Sequence, residues 1–307
     1  MSRIISVVAA VFLLIFVSGC AKVEYPSIED TFANALDDGN AYAAEQGGWI
    51  AMRSKGENGE GILLYNKEEQ ESLLIVQGAY EKIGLLENKV FYCSADEQSN
   101  LYCFDLVLGE EELLAAGVNH YQVRGGMVYY NTKEDALLHT IHLESGAQAT
   151  MKLSYIPERF WWTDYGFYYY SKDAQRLMVL PNGAQLDRFV LQSYVDILDL
   201  VSIKGAQILF LCQGEGEDKP NVLRSFNPAD RQIKEHYQTA AEHFIYASNR
   251  AVLVEKDVIS SINIETKQVH SWGKVESAAD IQLLSDCAVF YRDGLPAIYY
   301  YDAVDYQ

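Results

Sequence analysis

Apolar residues follow two regimes along this chain. From Ile4 to Val17 they form one run, broken only by Ser6. After residue 40 no run is that long; short apolar stretches alternate with polar, turn-rich ones. Seven of these open on a small or polar residue and then stay apolar: Gly48–Met52, Lys89–Cys93, Gly126–Tyr130, Gly166–Tyr170, Gln207–Leu211, Arg250–Val254 and Cys287–Tyr291. Successive strand residues point to opposite faces, so a run that is apolar at every position predicts a strand covered on both sides.

A second pattern follows each of these strands: Leu or Ile, two variable residues, an apolar residue, then usually Asp or Asn. It occurs at Ile62–Asn66, Leu101–Asp105, Leu138–His142, Leu177–Pro181, Leu223–Asn227, Ile259–Asn263 and Ile298–Asp302, with steps of 39, 37, 39, 46, 36 and 39 residues. The long step holds Gly214–Pro220, which reads as a loop insertion. A further strand precedes each apolar one, clearest at Tyr121–Val123 and Phe160–Trp162, and a polar strand follows, as at Ala147–Leu153. Four short strands in about 40 residues is the period of a β-propeller blade, and blades stacked face to face bury both sides of their middle strands. The sequence therefore predicts an all-β propeller of seven four-stranded blades over residues 40–307, with six blades as the alternative if one weak unit is irregular. The last unit lacks a fourth strand, so a stretch within Val23–Ala35 is expected to close the ring.

Composition agrees. There are 22 Tyr and 6 Pro, and aromatic residues favour strands. Helical spacing is hard to find after residue 40; Ser27–Leu36 is the one short candidate. The chain carries 24 Lys and Arg against 43 Asp and Glu, a formal net charge of −19. Such a surface is repelled by nucleic acid and by anionic headgroups, so no nucleic-acid partner is expected.

The first apolar run has 14 residues, short of the roughly 20 that span a bilayer, and Arg3 precedes it. It closes on Val17-Ser18-Gly19-Cys20. This stretch resembles the bacterial lipobox, with Val in place of the usual Leu. The resemblance implies a signal peptide over residues 1–19 and acyl chains such as palmitate on Cys20. It also implies a lipid-anchored protein on the extracytoplasmic face of a membrane, the outer membrane if the source has one. Two acyl chains anchor stably where one is marginal. Residues 20–39 would be the lipidated N-terminus, a short tether and the closing strand.

The pair Leu101-Tyr102-Cys103-Phe104-Asp105 and Ile298-Tyr299-Tyr300-Tyr301-Asp302 resembles the blade motif of bacterial propellers of unknown function. These are distantly similar to low-density-lipoprotein-receptor propellers, whose blades carry Tyr-Trp-Thr-Asp. The resemblance covers residues 40–307. The nearest tetrad, Trp161-Trp162-Thr163-Asp164, lies in a different strand of its unit, so no receptor ligand carries over.

Signatures of chemistry are sparse. There is no Gly-x-Ser-x-Gly elbow, phosphate-cradling glycine loop or zinc helix. His139 and His142 are three apart on a strand, which sends them to opposite faces and makes a poor metal pair. Asp37–Asn40 reads as a turn. No cofactor or metal is expected. Cys93 and Cys103 face each other if their hairpin is centred near Gln98, giving either a disulfide or two buried thiols. Aromatic clusters at 160–162, 168–170 and 299–301 serve either blade packing or a ligand, and Trp49, Trp161 and Trp162 are the ligand-binding candidates. The sequence thus points to a non-enzymatic binding scaffold for an envelope protein or glycan. The alternative is an extracellular polysaccharide lyase or hydrolase whose site is assembled from several blades.

Overall fold

The computed structural model describes residues 42–300, apart from 57–58, 217–218, 248, 276–278, 285–286 and 293–294. The expected signal peptide over residues 1–19, Cys20, and the expected tether and closing strand within Val23–Ala35 lie outside the described residues.

All regular structure described is strand, arranged as seven antiparallel sheets, each a meander of consecutive strands. Six sheets have four strands, and the seventh shows three among the described residues. The protein is a seven-bladed β-propeller, and the six-blade alternative falls. The first strand of each blade lies nearest the axis: Ala43–Gln46, Tyr80–Leu86, Val118–Arg124, Arg159–Trp162, Ile197–Lys204, Phe244–Ala247 and Ala279–Leu283. The fourth strands form the exposed rim, as in blade 3, where Gln148–Lys152 is exposed at four of five positions.

The doubly apolar runs are the second strands. In blade 4, Gly166–Ser171 is buried at every position. The Leu-x-x-apolar-Asp pattern marks the third strands, and its last residue has a geometric job. The Asp105 carboxylate accepts the Val107 and Leu108 N–H groups at 2.9 and 3.0 Å. Asn66 accepts those of Glu68 and Glu69, and Asn263 those of Glu265 and Thr266. An Asp or Asn side chain that caps its own turn starts the hairpin to the rim strand. The long repeat step is the 213–220 connection of blade 5, between Gln207–Cys212 and Asn221–Asn227.

Seven apolar clusters hold the ring, one between each pair of neighbouring blades. The cluster that joins blade 7 to blade 1 packs Leu284, Cys287, Val289 and Tyr291 against Ala43, Ile50 and Met52. The Tyr291 hydroxyl donates to the Tyr42 carbonyl at 3.2 Å across the same seam. The Arg53 guanidinium carbon lies there 4.1 Å from the Tyr42 ring centre and 5.4 Å from that of Tyr291.

The hairpin of blade 2 corrects one expectation. Cys93 pairs with Leu101, and Phe91 with Cys103, so the hairpin is centred on Glu97, one residue earlier than the facing arrangement requires. The two cysteines are diagonal neighbours in the blade 2–3 cluster, each a separate buried thiol. Burial pushes both thiols up to about 12.

Candidate functional site

Propeller ligands commonly sit where inner strands converge, so the axis is the first place to look for chemistry. The inner strands carry buried or half-buried polar side chains, and the structure shows where each one goes. Gln46 of blade 1 accepts the Glu87 N–H of blade 2. The Lys82 ammonium of blade 2 donates to the Val118 and Asn119 carbonyls of blade 3 at 3.3 and 3.0 Å. From blade 3, Gln122 accepts the Trp162 N–H at 2.9 Å, and His120 Nε2 donates to the Phe160 carbonyl at 3.1 Å. Arg159 of blade 4 donates to the Leu198 carbonyl at 2.7 Å. Asp199 of blade 5 accepts the Phe244 N–H of blade 6 at 3.0 Å.

Every junction from blades 1–2 to blades 5–6 is therefore bridged by a side chain bonded to the backbone of the next blade. A buried backbone group without a partner costs about 1–3 kcal/mol, and these side chains remove that cost where strands of different sheets meet. With Nε2 giving its proton to a carbonyl, and the ring edge-on to Phe160 at 4.4 Å between centres, the imidazole is placed as a strut. The polar axis is built as a girdle.

The aromatic candidates are also built in. Trp161 is 4% exposed and belongs to the blade 4–5 cluster, so its ring offers no face to a ligand. Trp162 is half-buried in the blade 3–4 cluster, with its ring centre 4.6 Å from that of Tyr129 and 5.3 Å from that of Phe167. Trp49 packs half-buried on the blade 1–2 cluster, three blades away, so the three tryptophans form no common surface. Tyr168 and Tyr170 face blade 5 while Tyr169 faces blade 3. Their hydroxyls donate to the Ala206 carbonyl, Asp196 and Asp187 respectively. Burial, helped by Asp196, pushes the Tyr170 phenol up to about 12. Tyr299 donates to the Trp272 carbonyl at 3.2 Å, and Tyr300 meets Tyr65 at 3.4 Å between hydroxyls. Of the two histidines weighed for metal, His139 lies 4.8 Å from Tyr130 between ring centres and His142 accepts the Ser145 N–H. Among the described residues, no group of three or more His, Cys, Asp or Glu could hold a metal ion.

Two outer features remain. A cleft of about 100 Å³ between blades 2 and 3 is lined by Lys89, Glu112, His142 and Gln148 over Cys103. It is well below the roughly 300–1,000 Å³ of small-molecule sites, and Lys89 is paired with Asp105 at 2.5 Å. The outer edge of the blade 3–4 junction carries more. There the Arg176 guanidinium lies between Tyr155 and Phe189, 5.5 and 5.8 Å from their ring centres, and donates to the Tyr155 hydroxyl. Among the described residues no carboxylate pairs with Arg176, although acids outnumber bases in the chain. Phe189 is 56% exposed, and Tyr194 on the following connection is 78% exposed. Exposed aromatics beside an arginine have the composition of binding hot spots. Sequence reasoning missed this site because Tyr155, Arg176 and Phe189 belong to three different segments.

No protein-family model matches the sequence, and no curated protein matches it. Solved structures match the fold. An oligogalacturonate lyase from Vibrio parahaemolyticus is 14% identical, with 90% of each chain covered and a TM-score of 0.57. The extracellular domain of a one-component system from B. thetaiotaomicron gives 10% identity and a TM-score of 0.59, over 91% of this chain and 40% of that one. Hsv2 of Kluyveromyces lactis gives 10% identity and 0.56, over 83% and 94%. At such identities the likeness defines a class, the β-propeller, and nothing narrower.

Proposed function

We propose that this chain is an extracytoplasmic binding scaffold, held on a membrane through lipid on Cys20, that engages an envelope protein or glycan through its outer surfaces. The observation that carries the binding reading is the girdle. The inner-strand side chains that an axial active site would draw on are bonded from blade to blade in blades 1–5, while a half-buried arginine lies between Tyr155 and the exposed Phe189 at the blade 3–4 junction. The lipobox resemblance of Val17–Cys20 supports the anchor. The second reading, a polysaccharide lyase, is favoured by the propeller likeness to oligogalacturonate lyase over 90% of both chains.

The test is a pull-down from membranes with the mature chain, run beside a glycan array. Arg176→Ala and Phe189→Ser serve as surface variants. A ligand retained by the native chain and lost by both variants is the expected result. Silence in both formats, or binding unchanged in both variants, defeats the scaffold reading at this site. Unsaturated product from a uronate polymer would favour the lyase instead.

A further inference from the structure

A sheet edge offers unpaired backbone groups to any extended chain, and proteins blunt such edges with bulges and charges. The six rim strands described are edges of this kind. Five of them meet their third strand through a register shift, which bends and twists the edge. Blade 3 departs from this pattern. Its rim strand, Gln148–Lys152, pairs with residues 137–141 one for one, without a shift. It carries no charge before its last residue, Lys152, and four of its five positions are exposed.

The ladder decides which backbone groups point outward. The His142 N–H donates to the Ala147 carbonyl, and the Leu153 N–H to the Ala136 carbonyl. Bonded pairs alternate along an antiparallel ladder, so Ala149 and Met151 bond inward. Gln148, Thr150 and Lys152 then aim their N–H and C=O groups away from the blade. The two sides of this edge differ. On the blade 2 side, Gln148 lines the cleft together with Glu112, which is exposed. On the blade 4 side, Met151 packs on the blade 3–4 cluster, where the exposed Phe189 pairs with Met178. A strand laid against Gln148–Lys152 sends alternate side chains to these two sides.

We propose that the blade 3 rim is a strand-addition site, at which an extended basic segment of a partner protein pairs antiparallel with Gln148–Lys152 and continues the sheet. This rests on the binding reading above and names the chemistry of the partner. Charge selects the occupant. The net charge of the chain is −19, and Glu112 stands beside the Gln148 end. Basic side chains opposite Gln148 and Thr150 are attracted, whereas a second copy of this acidic chain is repelled. Apolar side chains opposite Ala149 and Met151 extend the surface begun by Met151 and Phe189. The segment alternates basic and apolar residues, with a neutral one opposite Lys152.

The probe is fluorescein-labelled Ser-Thr-Val-Lys-Phe-Lys-Ser, read by polarisation against the chain carrying Cys20→Ser. Its five central residues are set opposite Lys152, Met151, Thr150, Ala149 and Gln148 in that order. The two lysines carry N–H groups that bond to the edge, so methylating their backbone nitrogens should abolish saturable binding. Methylating those of Val and Phe, which face solvent, should leave it within about threefold. Equal effects from the two methylated peptides, the reverse order, or no binding by the parent peptide overturns the inference. In the protein, Thr150→Pro removes an outward donor and leaves the ladder intact, so it should weaken binding by about tenfold with Tm unchanged. Thr150→Val keeps the donor and should bind like the native chain. Native-strength binding by Thr150→Pro overturns the site. Sedimentation tests the rival occupant: a dimer that Thr150→Pro dissociates gives the edge to a second copy and overturns the partner segment. A membrane pull-down separates this proposal from the scaffold reading. A ligand retained undiminished by Thr150→Pro leaves that reading standing and overturns this edge as its site.

Discussion

Asp199 offers the sharpest test of the girdle. It is 9% exposed, and its two carboxylate oxygens have separate tasks: Oδ1 accepts the Leu200 N–H at 2.8 Å, and Oδ2 the Phe244 N–H at 3.0 Å. Both donors belong to buried residues. Asp199→Ala orphans both, and each orphaned donor costs about 1–3 kcal/mol, so a loss of about 2–6 kcal/mol is expected. Asp199→Asn keeps one acceptor oxygen and turns an NH2 toward the other donor, so it should lose about half as much. In a domain of this size 1 kcal/mol shifts Tm by roughly 2–4 °C, which puts the alanine variant about 4–24 °C below the native chain. Urea unfolding gives the free energies, and amide exchange at Phe244 shows whether the loss is local to the blade 5–6 junction. If alanine is neutral within about 0.5 kcal/mol, the bridge adds nothing. If asparagine and alanine are equally damaging, the two oxygens do not act separately. Should alanine fail to fold, asparagine still carries the comparison.

The other predictions concern thiols, acid and packing. Cys93 and Cys103 should appear as separate unlinked peptides in a non-reduced digest. With both thiols pushed up to about 12, maleimide should modify them at pH 8 only as fast as the domain opens. His236 donates from Nδ1 to the Ile264 carbonyl of blade 6 at 2.9 Å, and burial holds its pKa below the ordinary histidine value. The unfolded chain therefore takes up the proton first. The His236 contribution is intact above about pH 6.5 and is lost as pH falls toward the folded value, so His236→Gln should flatten the fall of Tm between pH 7 and 5. Trp161→Ala should cost about 3–5 kcal/mol by urea unfolding, whereas the exposed Phe189→Ser should stay within about 0.5 kcal/mol; the reverse order would contradict their assigned burial.

The blades were legible because their burial is symmetrical. A second strand such as Phe167–Tyr170 is covered on both faces, so it stays apolar without alternation, and seven such runs about 40 residues apart count the blades directly. The Asp or Asn that ends five of the seven third-strand motifs was legible as a pattern, and its capping role needed coordinates. Register was not legible to one residue: Cys93 and Cys103 read as a facing pair until the hairpin centre fell on Glu97. The tyrosine triplet was legible as either packing or ligand binding, and the structure gives packing. Alternation would expose part of Tyr168–Tyr170 on a sheet with one wet face, but here each face meets another blade.

The girdle left a trace that motif reasoning passes over. Gln46, Lys82, His120, Arg159 and Asp199 recur at steps of 36, 38, 39 and 40 residues, the same interval as the blades. Their side chains share no chemistry, so no residue-type motif links them. What recurs is the need at a position, namely a polar group long enough to reach the backbone of the next inner strand. Apolar stacking between blades is non-directional and would tolerate sliding of one sheet over another. A hydrogen bond from each of the inner strands of blades 1–5 to a particular backbone group of its neighbour sets the offset between those blades. The same residues, seen singly, resemble a scatter of acids, bases and histidines converging on an axis, the outline of an active site. Their partners give them another role. On the proposed binding reading, a partner would be met outside the girdle, at surfaces such as that carrying Arg176 and Phe189.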